Sequence, residues 1–405
     1  MVYILSDLHE NANPSLPPLT GKPFLVINVV WHPKSSDGRR LAADLYSFYR
    51  RDYLSSVGAG AGIPVVYLIP GTESVPSFPS MDTSEETATI LLIDEHWTSD
   101  GDWINWAREL EKTTKSSGLK SRIFPVAVTE DALRIELMTE AILWCNWVDI
   151  AFDERLRRLT TDLSHQFCKM LRYWLAERSS PDTPGIRRKQ YREPVKLFLS
   201  HTKRDEDGER IAMAIREYIF RVKGLTSFFD VYDISSGLEF DTEILENIRD
   251  CAVIAIYTDK YSSREWCRRE VLEAKKHHVP LVVANSLQQS DERSFPYLGN
   301  VPVVRMDPRM VDRIDVTIGT LLTEVLRTFL WRCWSATVEK YKARNEVFVP
   351  RMPELVMLSE VGYGTEIVLV YPEPVIAAEE AALFGAVHPG VQLLSMLQWV
   401  ARRSA

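Results

Sequence analysis

The chain has 405 residues, more than one ordinary domain holds, so two or three domains are expected. Apolar residues make up 45% and charged residues 26%, as in most globular proteins, and the net charge of −8 argues against a nucleic-acid surface, which needs a basic excess. Five scattered cysteines without a CxxC pair, and eight histidines without HExxH, give no reason to expect a metal site or a disulfide framework; free thiols fit a reducing, cytoplasmic compartment.

Residues 1–22 read as a turn-rich leader, without the basic start and apolar run of a signal peptide. Phe24 to Val30 reads as a strand, Leu41 to Tyr49 as a helix and Gly62 to Ile69 as a second strand. After a loop from Ser74 to Glu86 come a strand, Thr89 to Ile93, a helix, Asp102 to Lys112, and a strand, Ile123 to Val128. Strands alternating with helices predict an α/β domain with a mainly parallel sheet over residues 23–150. Residues 151–193 hold a helix and a linker, Ser179-Ser-Pro-Asp-Thr-Pro-Gly-Ile-Arg-Arg-Lys189, rich in turn formers and charge.

The same order of elements then begins again over residues 194–345. Strands are predicted at Lys196 to Ser200, Thr226 to Val231, Ala252 to Tyr257 and Pro280 to Ala284. Helices are predicted at Asp205 to Val222, Phe240 to Asp250 and Arg264 to His278. The two halves read as a diverged repeat with an offset of about 165–170 residues. His32-Pro-Lys-Ser-Ser-Asp-Gly-Arg-Arg-Leu-Ala42 parallels His201-Thr-Lys-Arg-Asp-Glu-Asp-Gly-Glu-Arg-Ile-Ala212. The helices around Leu156 to Trp174 and Ile314 to Trp334 also correspond. Within the second, Thr317 to Trp334 is the nearest approach to a membrane span, but Thr323, Glu324, Arg327 and Arg332 interrupt it, so it reads as an amphipathic helix. Residues 346–405, with apolar runs at Leu355 to Leu358 and Glu366 to Tyr371 and a helix at Ala377 to Leu383, form a small α/β extension that either adds strands to the central domain or makes a cap.

One carboxylate stands out. Glu270 lies about a turn into a helix that follows the strand Ala252 to Tyr257, and open α/β sheets bind ligands beyond the carboxyl ends of their strands. Read alone, it is an ordinary surface Glu pairing with Arg264 or Lys276. Its surroundings say more. Phe198-Leu-Ser-His-x-x-x-Asp205, Phe228-Phe-Asp-x-x-Asp-Ile-x-x-Gly237 and Ser263-x-x-Trp-Cys-x-x-Glu270 follow in order over about 75 residues.

This ordered set resembles the Toll/interleukin-1 receptor (TIR) domain. The resemblance implies a flavodoxin-like parallel sheet in the central domain, with the first half a diverged, degenerate TIR-like copy. It also implies an NAD+ glycohydrolase of the bacterial type. Glu270 would be the catalytic residue, and Ser200, His201, Lys203, Asp205, Asp230 and Trp266 would line the substrate pocket. NAD+ is then the substrate, and no cofactor is called for. Asp233, Ile234, Ser235, Ser236 and Gly237 resemble the loop that joins neighbouring TIR domains, which implies self-association and activity that depends on assembly. An antiphage-defence role, with an upstream sensor protein or a nucleotide signal as trigger, follows from the family alone. A linear or a cyclic ADP-ribose product fits equally. Two alternatives stand beside the enzyme: a non-catalytic TIR scaffold, and a nucleotide-derivative sensor acting through the first half. In the first half Glu109 occupies a changed spacing without the Cys, which makes it a doubtful counterpart of Glu270.

Overall fold

The computed structural model describes residues 19, 21–50, 60–71, 74–80, 82–117, 120–137, 139–178, 193–202, 205–222, 224–226, 228–232, 251–289, 296–307, 313–360 and 366–404. The helix predicted at Phe240 to Asp250 lies outside them.

The first unit is a four-stranded, all-parallel sheet built from β1 (Leu25–Trp31), β2 (Val65–Tyr67), β3 (Glu86–Ile93) and β4 (Ser121–Ala127). Its spatial order is β2-β1-β3-β4. Every residue of β1 and β3 is buried, as a parallel sheet covered on both faces requires. Helix α1 (Ser36–Tyr49) begins where the Ser35 hydroxyl accepts the Gly38 amide at 2.9 Å. It then buries Leu41, Ala42, Leu45 and Tyr49 at helical spacing. A short α2 (Glu95–Thr98), absent from the sequence reading, and α3 (Gly101–Ser116) cover the other face, where Trp97, Trp103 and Trp106 cluster. The first unit ends in the long helix α4 (Phe152–Glu177).

The second unit repeats the plan. Strands β5 (Val195–Ser200), β6 (Phe229–Tyr232), β7 (Cys251–Tyr257), β8 (Leu281–Asn285) and β9 (Val303–Arg305) form a parallel sheet in the order β6-β5-β7-β8-β9. This is the flavodoxin-like order expected, with β9 added. Helices α5 (Glu206–Arg221) and α6 (Glu265–Lys276) lie on opposite faces. The unit closes with α7 (Ile314–Val338). Several boundaries moved: the strand expected over Gly62 to Ile69 is three residues long, the one expected to start at Thr89 starts at Glu86, the one expected from Thr226 starts at Phe229, and the helices expected at Leu41 to Tyr49 and Asp102 to Lys112 start at Ser36 and end at Ser116. Glu86 is buried, and a charged residue breaks the apolar pattern from which strands are read.

Helices α4 and α7 run side by side in the same direction. Arg157 pairs with Asp315 at 2.7 Å near their first turns. Further along, Cys168 Sγ lies 4.0 Å from the Leu322 carbonyl and Cys333 Sγ 3.7 Å from that of Leu171. Between these contacts a Cβ on Gly319 would stand 3.2 Å from Thr161 Oγ1, so glycine sets the closeness of approach. One apolar core runs from the first sheet through both helices to the second sheet.

Among the described residues the extension adds no strand to the central sheet. It forms its own parallel sheet of β10 (Glu346–Phe348), β11 (Ile367–Tyr371) and β12 (Val391–Ser395), with α8 (Ala378–Val387) and α9 (Met396–Ser404). The run Leu355 to Leu358 is part of a 3-10 turn. Trp334 of α7 meets Phe348 and Trp399 at ring distances of 5.5 and 5.7 Å, which fixes the extension to the core. Among the described residues no helix is long and apolar enough to cross a membrane.

Two predictions follow from the α4–α7 joint. Gly319→Leu should force the helices apart and cost about 1–3 kcal/mol, whereas Gly385→Ala in α8, where a Cβ meets nothing within 4 Å, should not destabilise. Equal urea midpoints for the two variants would refute the close approach. His165 of α4 is buried against Phe228, with Nε2 unpartnered among the described residues, and burial pushes its pKa down to about 4. The unfolded chain therefore binds a proton near pH 6.5 that the folded chain refuses until about pH 4. Stability should be complete above pH 6.5 and fall by up to roughly 3 kcal/mol as pH drops toward 4, relative to a His165→Leu variant measured in parallel. Parallel pH profiles for the two proteins would contradict it.

Candidate functional site

In the second sheet the chain order reverses beside β5: β6 lies on one side and β7 on the other. The carboxyl ends of β5 and β7 thus form the crevice where open α/β sheets take ligands. Ser200 is the last residue of β5, and its Oγ donates to Glu270 Oε2 at 2.6 Å. The same Oγ lies 2.6 Å from the Tyr261 hydroxyl. Tyr261 is placed by a tight turn after β7, in which its amide donates to the Thr258 carbonyl and its carbonyl accepts the Arg264 amide.

The direction of this chain of hydrogen bonds follows from proton counting. Ser200 has one hydroxyl proton and gives it to the carboxylate, so it accepts from Tyr261. Burial raises the Tyr261 pKa well above the usual phenol value, which keeps its proton in place. The result is a one-way relay, Tyr261 to Ser200 to Glu270, that fixes the carboxylate. Glu270 itself is only 5% exposed. Composition gave no sign of Tyr261; the signal was its position between the end of β7 and the Trp266-Cys-Arg-Arg-Glu270 helix.

The other expected residues are placed as follows. His201 is half-buried at the mouth of β5, with Nδ1 3.1 Å from the Leu199 carbonyl. Asp205 is the buried N-cap of α5; its Oδ1 lies 3.9 Å from Lys260 Nζ, and its Oδ2 has no hydrogen-bond partner among the described residues. Trp266 is half-buried under the Arg269 guanidinium, 4.9 Å from the ring centroid. Asp230 is not brought to the cluster. It is exposed on the edge strand β6, level with Lys196 toward the amino end of β5, while Ser200 is at the carboxyl end. The β5–β6 register decides this, since it pairs Asp230 with Lys196 rather than with Ser200. Lys203 and the loop residues Asp233, Ile234, Ser235, Ser236 and Gly237 lie outside the described residues.

Two neighbours complete the setting. Cys267 is buried, and burial followed by the nearby Glu270 charge pushes its thiol up to about 12, which makes it a neutral packing group. At the rim, Gln288 after β8 donates from its amide to Asp259 Oδ1 at 2.9 Å and from its side chain to Asp207 Oδ2 at 2.5 Å. These bonds lace the loops after β7 and β8 to the first turn of α5. In the first unit Glu109 is exposed and pairs with Lys112 at 2.6 Å. One group among the described residues could hold a cation: Asp94, Glu95 and His96, with ligand atoms within 4.8 Å of one another. Asp94 is already occupied in capping α2, with its Oδ1 accepting the Trp97 amide.

Residues 197–309 match the family model described as the TIR domain. The five-stranded unit is therefore a TIR domain, embedded in a larger α/β chain. No curated protein matches the sequence. Among solved structures, the crystal structure of the glycotransferase of kitacinnamycin matches at 11% identity, covering 79% of this chain and 99% of that one. Its TM-score of 0.19 carries no argument about fold or function.

Ser200→Ala should remove one hydrogen bond from the buried Tyr261 hydroxyl and one from the buried Glu270 carboxylate, costing about 1–3 kcal/mol. In a double-mutant cycle, Ser200→Ala with Glu270→Ala should cost less than the sum of the two by at least about 0.5 kcal/mol. Strict additivity in chemical denaturation would show that the two groups do not act on each other.

Proposed function

We propose that the TIR domain cleaves the nicotinamide–ribose bond of NAD+, with Glu270 as the catalytic carboxylate. The observation that carries this reading is the Tyr261–Ser200–Glu270 relay, which holds a carboxylate at the crevice between β5 and β7. The bond from the anomeric carbon to the pyridinium nitrogen breaks with its electron pair going to nitrogen, so nicotinamide leaves neutral and needs no general acid. Positive charge grows on the ribose, as in glycoside cleavage. A fixed carboxylate stabilises that charge, and does so more strongly away from bulk water. Water then adds to the anomeric carbon and loses a proton, giving ADP-ribose; attack by the adenine of the same molecule gives a cyclic product instead.

We read the first unit as a degenerate TIR-like copy. Its support is the shared strand order, the shared terminal helix, and a glycine buried in the first turn of both α1 and α5, Gly38 and Gly208. Self-association through the TIR domain, a nucleotide or protein trigger, and NAD+ depletion in antiphage defence belong to the same proposal. The burial of Glu270 favours one rival: a scaffold in which the relay is purely structural and the domain only binds other TIR domains.

Incubation of the full chain with NAD+ separates the two. Wild type should release nicotinamide at a rate that rises more steeply than linearly with protein concentration. Glu270→Gln, which keeps an acceptor for Ser200, should lower the rate at least about a hundredfold with an unchanged unfolding midpoint. A fully folded Glu270→Gln protein with wild-type turnover, or no turnover in either at any concentration, would leave the scaffold.

A further inference from the structure

Helix α6 is held at two places. Glu270 accepts from Ser200, which ties the helix to the sheet. Five residues on, about 7.5 Å along the axis, Lys275 reaches out of the TIR domain. Its Nζ stands 2.7 Å from both carboxylate oxygens of Glu354, in the segment entering the extension. It also donates to the Gly299 carbonyl, in the loop before β9. Only 6% of the Lys275 side chain is exposed.

The helix end gives this pair no slack. The amides of His278 and Val279 close α6 on the carbonyls of Lys275 and Ala274, the pattern in which a helix stops on a left-handed residue. That residue is His278, at φ 56°, where glycine is usual and a Cβ is unfavourable. Val279 is then buried in the core between α6 and the sheet. The extension is anchored separately. Trp334 of α7 grips it through Phe348 and Trp399, and Arg403 pairs with Glu346 within it at 2.6 Å. Its turn Leu355–Glu360, directly after Glu354, packs on α6, and Met352 and Met357 border the same gap as His278. Burial lowers the Lys275 pKa, and the Glu354 charge beside it opposes that. A buried ammonium without its carboxylate is strongly unfavourable, so parting the two drives Lys275, and the helix end with it, toward water.

We propose that the extension positions the catalytic carboxylate, with Lys275 and Glu354 as the positioning residues. This rests on the reading of Glu270 as the NAD+-cleaving group. A hydrogen-bonded helix moves along its axis as one piece, so a clamp at Lys275 and a bond at Ser200 together set the height of Glu270 over the crevice. A carboxylate displaced by about 1 Å from the reacting carbon loses rate by up to about a hundredfold, while contacts to the rest of the substrate survive. The extension is then a working part of the enzyme, and whatever moves it reaches Glu270 through one ion pair.

Hydrogen exchange and NAD+ turnover, both on the full chain, test this together. In Glu354→Gln the α6 amides around Glu270 should exchange at least about tenfold faster than in wild type, with those of α5 unchanged. Nicotinamide release should show kcat lowered at least about tenfold and KM within about twofold of wild type. Lys275→Met, which leaves the partly exposed Glu354 to water, should do the same, and it decides should Glu354→Gln fail to fold. Unchanged exchange in α6, exchange quickened equally in α5, or unchanged kcat in an active enzyme would overturn the proposal. Quickened exchange in α6 alone, in a chain whose wild type releases no nicotinamide, would establish the clamp and overturn the reading of Glu270 as the NAD+-cleaving group.

Discussion

A parallel sheet has to be covered on both faces, and in this chain two sheets cover one face each with a shared pair of helices. The parallel contact of α4 and α7, drawn close at Gly319 and Thr161, is what the rest depends on. It turns two similar units into one core and sets the platform to which the extension attaches through Trp334. It also faces each sheet outward on its other side. There α3 stands over the first sheet and α6, with Glu270, over the second.

The TIR unit shows how such packing shapes a site. The β5–β7 register sets Ser200 beside Ala255, and the turn after β7 brings Tyr261 back under α6. Glu270 is then met from the sheet by one hydroxyl that is itself met by another. Rigidity here comes from backbone pairing, with the side chains reading it out. A carboxylate positioned in this way suits either a reaction that builds positive charge or a helix that must sit at a fixed height on its sheet, and kinetics with a folded amide variant distinguish them.

Much of this was legible in the sequence, for physical reasons. Buried parallel strands are short runs of branched apolar residues, so β1, β5, β7 and β8 stood out. The spacing of Ile211, Ile215 and Ile219 marked one face of α5. The similar order of elements in the two units was legible because each sheet is built from the same kind of short apolar runs alternating with helices. Short edge strands were harder: β9 has exposed ends and only three residues. Asp230 could be named from its motif, but strand register, which local sequence does not encode, put it at the far end of β5. Tyr261 was hidden because its importance comes from a turn, not from a pattern. The parallel direction of α4 and α7 lies in long-range contacts alone.

That shared seam has a consequence for how the chain is made. On the ribosome, α4 is complete at Glu177, but the surface it is built to meet ends at Val338. At about 5–20 residues per second, the intervening stretch takes roughly 8–30 s to appear. Through that interval the side of α4 that meets α7, with Cys168 and Leu171, has no partner helix, although α1, α3 and α4 already cover the first sheet. The nascent chain therefore presents an apolar stripe to water until the second half is translated.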